Sequence, residues 1–292
     1  ASAAGGKPVD GDDTEPWVSV DGVVFPRFFQ TNRPMREHIE CLKALEMRDD
    51  DVIVAAFPKC GTHWMWEIAC MLMTGRAEYD TRTKDLAMLE ATESRGRNKP
   101  PPPGDLQFSY RIRSKIKEKK VKILHVYRNP KDVVVSLYFH SRQNPTMTHI
   151  TIDTMLDKYF FSQDPVNKNC TFFKYHKDVD AFFKANPDIP VFSTSFENMK
   201  EDLAGEVRRV AEFLGVSHTP EFCRQVADAC GFDRLKEADK TKNQLLTAPP
   251  VQMFRKGEVG DWKNHLTEAQ SKRIDDAMKQ LEGCDYHFRY TL

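Results

Sequence analysis

A single α/β domain with a central, mainly parallel sheet flanked by helices is the fold this sequence predicts. Three short apolar runs rich in β-branched residues, Asp51–Phe57, Val121–Tyr127 and Ile189–Ser195, each lead through a loop toward a segment with helical apolar spacing. Strands that are apolar on both faces and separated by helices belong to a parallel sheet covered on both sides. A chain of 292 residues is long enough to bury one large core of this kind.

The elements follow in order along the chain. Ala1–Glu15 is small, polar and acidic with a Gly-Gly pair, and reads as a flexible tail, leaving 16–292 as the folded domain. Trp17–Phe25 carries an Asp-Gly pair between apolar arms, the pattern of a hairpin. Asp51–Phe57 reads as a strand, Pro58–Thr62 as a loop and Trp64–Met73 as a helix. Lys99–Gly104 contains four prolines in succession, which lack backbone donors, and is expected to be irregular. Val121–Tyr127 repeats the pattern, leading through Arg128–Asp132 into the helical Val133–Tyr138, and Ile189–Ser195 precedes a helix over Ala204–Leu214. Beyond Phe232 the chain becomes polar and reads as a loop until Phe254, before a last helix around Glu268–Leu281.

Composition narrows the class. The 43 basic and 43 acidic residues balance, so no nucleic-acid or membrane partner is indicated. No apolar run approaches the ~18 residues of a membrane span, and Ala1–Asp13 lacks the apolar centre of a secretory signal. The seven cysteines are odd in number and scattered, without a CxxC pair, which fits reduced thiols in the cytoplasm and offers no metal site.

Chemistry concentrates in three segments. Ligands of open α/β sheets sit at the carboxyl ends of strands, where a helix beginning there directs free N–H groups at an anion. Pro58-Lys59-Cys60-Gly61-Thr62-His63-Trp64 stands at that place. Gly61 lets backbone approach a phosphate, Thr62 adds a hydroxyl and Lys59 a charge; the bland alternative is a turn that only caps a helix. The lysine precedes the glycine and GxxxxGK[ST] is absent, which argues against a Walker A nucleotide kinase. Arg128 follows the second strand directly, and Ser136 lies eight residues on, together offering a planar fork of donors and a hydroxyl, or else only a charged turn. Phe254-Arg255-Lys256-Gly257 begins a stretch without regular periodicity, suited to fold over an anion or to remain a solvated basic turn.

Phe-Pro-Lys-Cys-Gly-Thr-His-Trp, Tyr-Arg-Asn-Pro-Lys-Asp-Val-Val-Val-Ser and Arg-Lys-Gly-Glu-Val-Gly-Asp-Trp-Lys-Asn, in this order and spacing, resemble the three signatures of the cytosolic sulfotransferases. The resemblance runs from about Trp17 to the C-terminus and implies their P-loop-kinase-like fold. It also implies transfer of a sulfuryl group from 3'-phosphoadenosine 5'-phosphosulfate (PAPS), which leaves as 3'-phosphoadenosine 5'-phosphate (PAP), to a small-molecule hydroxyl or amine without a metal. On that resemblance the 5'-phosphosulfate falls to Lys59, Cys60, Gly61, Thr62 and His63, with Lys59 catalytic. The 3'-phosphate falls to Arg128, Ser136, Arg255, Lys256 and Gly257. Adenine falls to Trp64 and Phe232, and a nucleotide-binding tyrosine of the family matches Phe196.

The sequence departs from the family at the general base. The histidine expected in the segment matching Asp105–Ser109 is replaced, its place falling on Gln107, and no histidine lies between His63 and His125. Glutamine orients an acceptor but takes up no proton at neutral pH. His140, four residues after Ser136, is the candidate replacement, with a pocket-wall role as the alternative. His125, within an apolar strand, reads as a core histidine. Phe172–Lys177 and Phe25–Phe29 border the acceptor or belong to the core. The family's dimer motif is altered at two of its four key positions within Lys263–Lys272, so a monomer or weak dimer is expected.

Overall fold

A computed structural model of the protein describes residues 17–20, 23–26, 36–37, 40, 47–79, 104–106, 113–163, 171–244 and 252–292. The expected tail 1–15 and the base position Gln107 lie outside them. Strands β1 (Trp17–Val20) and β2 (Val23–Pro26) pair antiparallel with Val20 opposite Val23, the two-residue connection that an Asp-Gly pair favours.

Among the described residues the central sheet has four parallel strands. β3 (Val52–Ala56), β4 (Gly104–Leu106), β5 (Lys122–Tyr127) and β6 (Val191–Ser195) lie in the spatial order β4-β3-β5-β6. The sequence showed three of them. β4 is only three residues long and directly follows the proline run, with Gly104 opposite Ile53. From β3 the chain steps outward to β4 and then returns to the other side as β5. The sheet therefore reverses its winding between β3 and β5, and their carboxyl ends open a crevice there. Register pairs Ala56 with Val126 and Tyr127 with Ser195, so the residues after the three strands, Phe57, Arg128 and Phe196, emerge on one edge.

Both faces of β3 and β5 are buried, as their apolar runs require, while β6 is more open, with Ser193 exposed. Val52, Val54 and Ala56 pack with Leu124 and Val126 on one face, against α1 (Thr62–Thr74), α3 (Pro130–Ser141) and α7 (Leu203–Leu214). Ile53, Ala55 and Ile123 face the other way, onto Ile116 of α2 (Arg113–Lys119) and Val179 and Phe182 of α5 (Phe172–Ala185). Phe172, Phe173 and His176 of α5 are fully enclosed, so the aromatic run that stood between acceptor site and core belongs to the core. Ring stacking of Phe172 on Phe160 and edge contact with Phe57 fix it there.

Further helices are α4 (Ile152–Tyr159), α6 (Phe196–Glu201), α8 (Pro220–Ala229), α9 (Phe232–Gln244) and α10 (Glu268–Ala277), which continues into a 3-10 turn at Met278–Leu281. α9 corrects the reading of 232–254 as a loop. Its sequence is so polar that few residues mark an apolar face, Leu235 being enclosed in the core. The last helix stands where the sequence placed it, and a capping box of Thr267 and Gln270 starts it.

Candidate functional site

The loop after β3 is shaped by its backbone. Lys59 and Gly61 both have positive φ, 69° and 114°, with Cys60 of ordinary handedness between them. Such alternation turns successive amides into a concave anion-binding nest. Gly61 is the N-cap of α1 and supplies no side-chain cap, and no acidic residue lies in the first turn. Helices α4 to α8 and α10 instead have a Thr, Ser or Asp side chain bonded to their leading amides. The N-terminus of α1 thus has no side-chain cap from its N-cap residue and presents its partial positive charge toward the crevice. Gly61 also packs tightly, its missing Cβ leaving room for Met199 and Phe196. Cys60 is buried, and burial pushes its thiol up, so it is a protonated packing group beneath the loop.

Arg128 lies 8% exposed at the end of β5. Its guanidinium stacks 3.9 Å from the Phe196 ring centroid, donates to the Lys59 carbonyl at 3.4 Å and to the Glu258 carbonyl at 2.9 Å. One side chain therefore joins the first loop to the third segment. Beside it, Asn129 caps α3 by accepting from the Asp132 amide, and its own amide and side-chain NH2 donate to Glu197 Oε1 at 3.0 and 2.9 Å. Burial raises the Glu197 carboxyl above its ordinary range, against the opposing pull of Asn129 and Arg128. Proline at the first helical position follows from its fixed φ and missing donor.

The third segment is tied down rather than free. Gln143 at the end of α3 exchanges hydrogen bonds with the backbone of Gln252, and Lys236 of α9 donates to the Arg255 carbonyl. Arg255 stacks on Phe139 of α3, 4.4 Å from the ring centroid. Gly257, at φ 66°, presses against the Phe232 ring where any Cβ would overlap it. The Gly257 backbone and the Phe232 ring thus share one surface.

The structure brings Lys59, Cys60, Gly61, Arg128, Phe196 and the third segment to one edge of the sheet. His63, in the first turn of α1, meets Phe254 edge-on at 6.3 Å between centroids, linking the first and third segments again. Trp64 lies buried with its indole N–H on the Cys230 carbonyl and its ring edge-on to Phe196, whereas Phe232 meets Phe254. Ser136 and His140 are half-buried on one face of α3, four residues apart. His125 sits in the sheet core with Nδ1 on the Ser193 hydroxyl, and burial lowers its pKa to about 3. Buried there and only weakly basic, it is a core histidine, as the sequence led one to expect. Sequence reading missed Asn129, Asp132, Glu197 and Asp261, although Asn-Pro-x-Asp is a helix-start pattern that marks the first two.

Fold and site together define an α/β protein with an uncapped helix N-terminus and cationic side chains at the switch point of its sheet. A family model for the sulfotransferase domain matches residues 49–283. Zebrafish (Danio rerio) sulfotransferase 6B1 is 32% identical over 82% of this chain and 81% of its own. Mouse (Mus musculus) sulfotransferase 1A1 is 28% identical over 94% and 97%. Among solved structures, mouse sulfotransferase SULT7A1 in complex with PAP superposes with a TM-score of 0.73 at 22% identity, covering 93% of this chain and 96% of that one. A retinol dehydratase solved with retinol and PAP gives 0.69 at 16% identity, over 94% and 92%. The chain belongs to the sulfotransferase family.

Proposed function

We propose that the protein transfers a sulfuryl group from PAPS to a hydroxyl or amine of a small-molecule acceptor. The observation that carries this reading is the meeting of three anion-binding segments at the β3/β5 crevice, in a chain of the sulfotransferase family. Lys59–His63 hold the 5'-phosphosulfate on the nest and on the uncapped amides of α1. Arg128, Ser136, Arg255, Lys256 and Gly257 hold the 3'-phosphate, while Trp64, Phe232 and Phe196 enclose the adenosine. Solved relatives that contain PAP support the choice of nucleotide.

The reaction is an in-line displacement. The bond from sulfur to the phosphate oxygen breaks, a bond from sulfur to the acceptor oxygen or nitrogen forms, and PAP leaves carrying the charge. Lys59 neutralises that charge as it develops. The acceptor's proton passes to a base, for which His140 is the candidate, with Gln107 orienting the acceptor. The residues present suit an organic anion, and a metal plays no part in this scheme. Five free cysteines among the described residues support a reducing, cytoplasmic setting.

Incubation with PAPS and a broad panel of phenols, alcohols and amines should release PAP and sulfated product in equal amounts. A second reading, a PAPS- or PAP-binding regulatory protein without turnover, is favoured by the glutamine at the base position. Tight PAP binding with no product from any acceptor would select it.

A further inference from the structure

Two carboxylates organise the loop that bears Arg255 and Lys256. Asp132, 2% exposed in the first turn of α3, accepts the Gly260 amide at 2.8 Å through Oδ2 and the Trp262 amide at 3.0 Å through Oδ1. It is itself fixed by Asn129, whose Nδ2 donates to Oδ2 at 2.8 Å. The two captured amides flank Asp261, which is thereby set on a 3-10 turn at Asp261–Asn264. Asp261 is 4% exposed and gathers four donors. Oδ1 receives Lys256 Nζ at 2.7 Å and Asn264 Nδ2 at 3.1 Å, while Oδ2 receives Arg255 Nη2 and, at 3.2 Å, His265 Nε2. Burial alone would raise this carboxyl, but the bonds from Lys256, Arg255 and Asn264 prevail and hold it well below its usual range. Both cations keep an open side, the Arg255 side chain at 29% and Lys256 at 43% exposure.

Free long cationic side chains lose rotamer entropy when they grip a ligand. A buried carboxylate that already holds both removes much of that loss in advance. We propose that Asp261 is a positioning residue that presents Arg255 and Lys256 as a preset pair to the 3'-phosphate, with Asp132 anchoring it through the backbone on either side. The inference rests on the reading of Arg255 and Lys256 as 3'-phosphate ligands.

The sign of one substitution separates this from simple electrostatics. A carboxylate beside two cations lowers the positive potential offered to an anion, so neutralising it would tighten binding if charge alone mattered. Positioning demands the reverse. The test is calorimetric titration of the full chain and of Asp261→Asn with PAP and with adenosine 5'-monophosphate, which lacks the 3'-phosphate. The expected result is a loss of PAP affinity on the order of tenfold, unchanged binding of the monophosphate, and no further loss when Asp261→Asn is added to Arg255→Ala/Lys256→Ala. PAP affinity that is unchanged or tighter, or equal losses for both nucleotides, overturns the proposal. Should Asp261→Asn not fold, Asp261→Glu keeps the charge but displaces it by one methylene. A selective PAP loss supports the proposal, and wild-type affinity overturns it. A wild-type chain that binds no PAP would instead sink the functional reading beneath.

Discussion

At the scale of single residues, the site is legible where chemistry sits next to backbone geometry. Gly61 and Gly257 stand in the signature segments, and both have positive φ in the structure. Gly257→Ala meets a left-handed backbone that costs about 1–2 kcal/mol and pushes its Cβ into the Phe232 ring. PAP binding by Gly257→Ala should weaken by at least that amount, read by calorimetry, while an unchanged affinity would mean that the Gly257–Phe232 surface takes no nucleotide. The acceptor side is less legible, because the segment Asp105–Ser109 holds no histidine that would mark it. If His140 takes the acceptor's proton, His140→Ala should lower turnover on the order of 100-fold with PAP affinity preserved, measured as product formed from PAPS. An equal rate would leave His140 as part of the pocket wall. Asp132 and Glu197 escaped the sequence because their partners are far away in the chain, Asp132 reaching Gly260 and Trp262 and Glu197 reaching Asn129, whereas Asp261 gathers nearby donors in a stretch without regular periodicity.

Elements were readable in proportion to their apolar period. β3 is a continuous apolar run and β5 nearly one, β6 carries the end of the Ile189–Phe192 run into Ser-Thr-Ser, and α7 and α10 have clear faces and caps. β4 was hidden because it is three residues beside prolines, and α9 because it is mostly polar, with few apolar residues to mark a face. The interior of β5 and α5 also sets a dependence on pH. Burial lowers the pKa of His125 to about 3 and that of His176 to about 4. Their unfolded values are near 6.5, so the unfolded chain binds more protons below that pH. The stability these neutral rings contribute is present above pH ~6.5 and is lost as pH falls toward 4. Tyr286, whose hydroxyl donates to the His176 carbonyl and whose ring packs on both imidazoles, closes the cluster. Urea unfolding should show a lower midpoint at pH 5 than at pH 7, and His125→Leu should flatten that difference; equal midpoints in the native chain would contradict it.

For the whole molecule, topology does what no single motif does. The winding reversal between β3 and β5 places loops separated by ~70 residues side by side, and Arg128 ties Lys59 to Glu258 across that crevice. The order of the three segments along the sequence made the family visible before their meeting could be seen. Their meeting requires the sheet order, which apolar runs alone do not specify because parallel strands of similar composition are interchangeable in sequence. The central claim is that this crevice is a single nucleotide site, and calorimetric titration of PAP into the native chain and into Arg128→Ala tests it most directly. The account predicts one PAP per chain, bound more weakly in Arg128→Ala by about 1.5–3 kcal/mol; native and substituted chains that bind PAP equally, or not at all, would contradict it.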